Sequence, residues 1–142
     1  MNKKRICIVC VIMLFVIMTG YHFRKKSEEK ISMEPDVVSS ISMNQDQYLT
    51  VVANRDRIED KEKLAKLLVK MCRDNSFRTI KFSTDRGYAT GIHMQVYLCE
   101  EDIEDANVVM EIDYVQRECN EKYDICNNPE EFVLYVDGEA IN

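Results

Sequence analysis

The sequence predicts an α+β protein: one N-terminal transmembrane helix, then one helix packed on a mainly antiparallel sheet of about five strands, in the order β-α-β-β-β-β. Three observations carry this. An uncharged run from Ile6 to Phe23 is flanked on both sides by cations. Leu64 to Cys72 repeats its apolar residues with the helical period, and several other segments alternate with the strand period of two.

Residues 1–5 are a basic tail carrying Lys3, Lys4 and Arg5. Residues 6–23 are the anchor: at 1.5 Å per residue they span about 24 to 27 Å, against a hydrocarbon core of about 30 Å. The lipid bilayer is therefore an expected partner. Met18-Thr19-Gly20 places a bulky residue where a cleavage site needs a small one, so an uncleaved signal-anchor is expected rather than a signal peptide. A short basic tail before a single-pass anchor leaves the N-terminus cytoplasmic and the rest of the chain extracytoplasmic. The cations beyond the anchor, Arg24, Lys25 and Lys26, keep the reverse orientation as an alternative.

Residues 24–45 mix charge, Ser and one Pro without periodicity and are expected to be a flexible tether of about 25 Å reach. Residues 46–142 form the small domain. Gln47–Ala53, rich in β-branched and aromatic residues, is its first strand. Leu64, Leu67, Leu68, Met71 and Cys72 define a helix stripe, with Asp60 as the N-cap and Asp74-Asn75 as the end; Glu59–Lys63 and Glu62–Lys66 are acid-first pairs on its surface. Ile80 and Phe82 place a strand at Arg78–Thr84. Ile92, Met94, Val96 and Leu98 place another at Thr90–Cys99, paired with it as a hairpin across Asp85-Arg86-Gly87-Tyr88. Glu100–Asn107 reads as a loop or one helical turn. Val108, Met110, Ile112 and Tyr114 mark a fourth strand, and Phe132, Leu134 and Val136 a fifth, ended by Asp137-Gly138.

Charge narrows the function. The chain of 142 residues carries a net −6, but six of its 19 basic residues flank the anchor, leaving 13 basic against 25 acidic residues from Ser27 onward. Such a surface repels phosphate backbones, so no nucleic acid is expected as a partner. Glu100, Glu101, Asp102, Glu104 and Asp105 form an acidic interaction patch suited to a basic protein partner; they lack the spacing and glycine of a calcium loop.

Cys119 and Cys126 are a candidate disulfide closing a short loop between the last two strands, whereas Cys72 on the helix stripe reads as a small core residue. No nucleotide loop, zinc spacing or nucleophile motif is present, so no catalytic, cofactor or metal residue is assigned. The residues from which an enzyme could be built are Glu111 and Asp113, on one strand face, and His93. The plan resembles in architecture small bitopic proteins of bacterial envelopes, a likeness that carries no residues across. The expected function is a non-enzymatic protein-interaction or envelope-complex accessory module. The alternatives are a small envelope hydrolase using Glu111, Asp113 and His93, and a cytoplasm-facing membrane-tethered regulator with reduced thiols.

Overall fold

The computed structural model describes residues 34–141. The basic tail, the anchor expected at 6–23 and residues 24–33 of the expected tether lie outside the described residues. Among the described residues no helix is long and apolar enough to cross a membrane.

The elements in chain order are β1 (Asp36–Met43), β2 (Asp46–Val52), α1 (Lys61–Arg73), β3 (Gly91–Tyr97), α2 (Glu101–Glu104), β4 (Met110–Gln116), β5 (Phe132–Val136) and β6 (Glu139–Ile141). The fold is α+β, with one main helix and a six-stranded mixed sheet in the spatial order β1 to β6. Neighbours are antiparallel except β2 and β3, which run parallel. A parallel neighbour demands a long crossover. Residues 53–90, with α1 among them, supply it.

Four expectations are corrected. The tether does not reach residue 45, because 36–43 form β1. Its turn, Asn44-Gln45, takes φ of 51° and 72°, the positive pair that a two-residue hairpin loop requires, without the glycine that usually announces one. Arg78–Thr84 is not a strand and forms no hairpin with β3. Ile80 and Phe82 do turn toward the core, but the segment's backbone is held by side chains: Asn75 Nδ2 donates to the Phe82 carbonyl (3.0 Å) and Asn75 Oδ1 accepts from the Phe82 N–H (2.8 Å). The sheet continues past Asp137-Gly138, whose positive φ values of 51° and 82° close a tight hairpin into β6. On α1, Leu67 is 42% exposed, while Ala65 and Val69 join the buried stripe.

The helix forms where its signals stand. Asp60 Oδ1 accepts from the Lys63 N–H at 2.9 Å, and the Asp74 N–H closes the last turn on Lys70 O. The Glu62–Lys66 pair forms at 2.5 Å; Glu59 instead meets Arg57, and Lys63 meets Asp60. Leu64, Leu68, Met71 and Cys72 then bury against the sheet face carrying Leu49, Val51, Met94, Val96, Ile112 and Leu134, with α1 lying across β4 and β5. Phe77, wholly buried just past the helix, joins the same core. Each such side chain contributes roughly 1.5 to 3 kcal/mol.

Candidate functional site: the open face of the sheet

Alternation along the strands sends every second side chain to the face that α1 does not cover. The pairing registers then align those residues into rows across the sheet. One row runs Ile41, Tyr48, His93, Asp113, Tyr135 through five strands. The next runs Ser39, Thr50, Gln95, Glu111. A third places Asp46 beside Gly91. Residues up to 45 apart in sequence, such as Tyr48 and His93, thus become neighbours because the core on the other face dictates the register.

His93 is the centre. The Tyr48 ring stacks on its imidazole, centroids 4.6 Å apart and planes within 15°. Nδ1 lies 2.6 Å from Asp113 Oδ1, within hydrogen-bond distance. Nε2 faces Asp46 Oδ2 at 3.9 Å. Asp46 is itself placed by the Thr90 hydroxyl, which donates to its Oδ1 at 2.7 Å, and by the bare Cα of Gly91: a Cβ there would stand 2.8 Å from that same oxygen. Tyr48, His93, Gln95, Glu111 and Asp113 line a shallow groove of about 380 Å³. With Asp46 and Asp113 on either side of the imidazole and Glu111 lining the same groove, the surface is net acidic.

The structure therefore brings His93 and Asp113 into contact and sets Glu111 in the neighbouring row, its backbone N–H donating to Asp137 Oδ1 at 2.9 Å. No hydroxyl or thiol of the described residues hydrogen-bonds Nε2; an aspartate stands there instead. Sequence reasoning missed Tyr48 and Asp46, and neither carries a local signal, since only the parallel β2–β3 pairing brings them to His93. Among the described residues no group of three or more His, Cys, Asp or Glu side chains is arranged to hold a metal.

The other singled-out residues lie apart from this cluster in sequence and setting. Glu101–Glu104 form the single turn α2 between β3 and β4, where Asp102 Oδ2 accepts from the Cys99 N–H (3.4 Å) and thiol (3.2 Å); that carboxylate pushes the Cys99 thiol up from its ordinary value. Cys119 and Cys126 are both free thiols, the first exposed and the second with its sulfur 3.6 Å from the Arg73 carbonyl oxygen. Cys72 is buried, as its place on the stripe implies, and burial pushes its thiol far up.

No protein-family model, no curated protein and no solved structure matches this chain.

Proposed function

We propose that the chain is a single-pass, membrane-anchored, non-enzymatic interaction module that presents a small acidic extracytoplasmic domain and docks a basic protein partner on its open sheet face. The observation that carries this reading is the composition of that face. Asp46 and Asp113 flank a Tyr48–His93 stack, Glu111 lines the same groove, and Ile41 and Met43 stand beside it 63% and 54% exposed. An acidic surface with projecting apolar side chains complements a basic patch that carries a hydrophobic anchor. Glu100, Glu101, Asp102, Glu104 and Asp105, following β3, add charge that steers such a partner inward. Residues 6–23 would supply the membrane anchor, and tethering raises the local concentration of the two surfaces.

The test is site-specific photocrosslinking of the full-length chain in its native membrane. A crosslinker at Thr50, on the open face, is expected to give a discrete adduct that Ile41→Glu with Tyr48→Ala removes; one at Lys66, on the exposed side of α1, gives none. Equal adducts from both positions, or none from Thr50, sink the reading. A topology reporter fused after Asn142 separates the extracytoplasmic placement from the cytoplasm-facing regulator. The small-hydrolase reading has in its favour the 2.6 Å Asp113–His93 contact, which orients an imidazole as a general base requires. It demands turnover of a substrate that His93→Gln abolishes, whereas docking releases no product.

A further inference from the structure

On the helix side of the sheet, past the end of α1, the second layer is not a helix. The inward-facing residues of the β1–β2 hairpin change there from Val37, Leu49 and Val51 to Ser40, Ser42 and Gln47. These polar groups satisfy one another: Ser40 Oγ donates to Gln47 Oε1 (3.3 Å), and Gln47 Nε2 donates to Ser42 Oγ (3.2 Å). Facing them is the segment after α1, pinned to β1 by Asp36 and to the helix end by Asn75. Between floor and wall lies a cleft of about 730 Å³, within the range of small-molecule sites.

Its lining is unlike the rest of the domain. Arg73, Lys81 and Arg86 contribute three cations against the single acid Asp85, in a chain whose net charge is −6. Lys81 Nζ donates to the Asn75 and Phe77 carbonyls at 2.9 and 2.7 Å. Those neutral acceptors hold the ammonium in place and leave its charge uncompensated. Neither Arg73 nor Arg86 forms an ion pair with an acid of the described residues. Ile80, Phe82 and Ile125, half-buried or buried, give the same cleft an apolar wall.

From these positions we infer that the cleft binds a small organic anion, a carboxylate or phosphate carried on an aromatic or short aliphatic body. The acid group meets Arg73, Lys81 and Arg86; guanidinium groups match either acid through paired N–H donors. The body lies on Ile80, Phe82 and Ile125. The site is on the opposite side of the sheet from His93, so it stands or falls independently of the docking face.

Because the chain contains no tryptophan, a naphthyl probe can be followed by its own fluorescence anisotropy. The full-length protein, held in nanodiscs of zwitterionic lipid with empty discs subtracted, is titrated with 2-naphthoate, 2-naphthyl phosphate and the uncharged 2-naphthalenemethanol. Saturable binding of either acid is expected, with the alcohol at least about tenfold weaker, and the tighter acid identifies the natural head group. Arg73→Gln with Arg86→Gln, both at exposed positions that leave the core intact, is expected to weaken the acid about tenfold or more. Lys66→Gln, outside the cleft, is expected to change nothing. Equal affinity for acid and alcohol, unchanged binding in the double variant, or no saturable binding of either acid would overturn the proposal.

Discussion

Asp36 is 3% exposed, and its carboxylate accepts from the Val37 N–H, the Thr79 N–H and hydroxyl, and Arg78 Nε. Burial alone would raise its pKa; the Thr79 donors, the Val37 N–H and Arg78 together outweigh burial and hold it below 3.8. A carboxyl whose folded value is depressed stabilises the fold above its unfolded value and loses that contribution as pH falls through the folded one. Asp36→Ala is therefore expected to cost roughly 1 to 3 kcal/mol in urea unfolding at pH 7, and the gap to the parent should narrow below about pH 4. Asp137 works the same way at the surface: Lys61 first, then the Glu111 N–H, lower its pKa. That pair is nearly half exposed and contributes little, but Asp137→Ala also loses the Glu111 bond and the residue type that tolerates φ 51°, so a cost of about 1 to 2 kcal/mol is expected. Gly91→Ala drives a methyl into the Asp46 carboxylate and is expected to break its Thr90 bond; a lost Tyr48–His93 ring-current shift in NMR spectra would report the disturbed face. Among the thiols, exposed Cys119 should label with maleimide without prior reduction, and buried Cys72 only on unfolding. Labelling of Cys119 that appears only after reduction would instead show the Cys119–Cys126 link.

At the scale of elements, α1 was legible because everything that makes it is local: Asp60 caps it, Glu62 and Lys66 brace it, and Leu64, Leu68, Met71 and Cys72 recur at its period. The alternating strands β3, β4 and β5 were legible for the same reason. Arg78–Thr84 shows where the pattern misleads. Ile80 and Phe82 alternate toward the core as strand residues do, and Phe82 meets Phe77 edge-to-face at 6.2 Å, yet the hydrogen bonds go to Asn75 instead of a ladder. Asn75, at φ 51°, ends the helix in a left-handed turn and serves as a surrogate strand through its side-chain amide. Asn75→Ala removes both bonds and the residue type that tolerates this φ, so a loss of about 1 to 2 kcal/mol is expected, with faster amide exchange confined to residues 76–84. Protection unchanged across that segment would show that the amide does not organise it. β1 was hidden because Ser39, Ser40 and Ser42 dilute its alternation, and no Asn-Gly or Asp-Gly marks its turn.

For the whole molecule, the decisive feature is that β1 completes the sheet beyond β2. A fragment beginning at Glu34 should unfold cooperatively, while one beginning at Asp46, the boundary suggested by composition, loses buried Val37 and the Asp36 clamp and bares the edge of β2. Its melting transition is expected to fall by ten degrees or more or to vanish into aggregation. Equal melting temperatures would mean that β1 is dispensable. The same strand supplies Ile41 and Met43 to the open face and Ser40 and Ser42 to the cleft, so both proposed surfaces depend on it. The α+β class, the main helix with its caps, the inward faces of three strands and the uneven charge could be read from the sequence by itself, because periods of 2 and 3.6 residues are encoded in near neighbours. The parallel β2–β3 pairing, the added strands β1 and β6, the contact of His93 with Tyr48, Asp46 and Asp113, and the cationic cleft were decided only by tertiary structure. Those contacts join residues tens of positions apart, and which of them form depends on the register that buries the most apolar surface across the whole sheet, a quantity no local window contains.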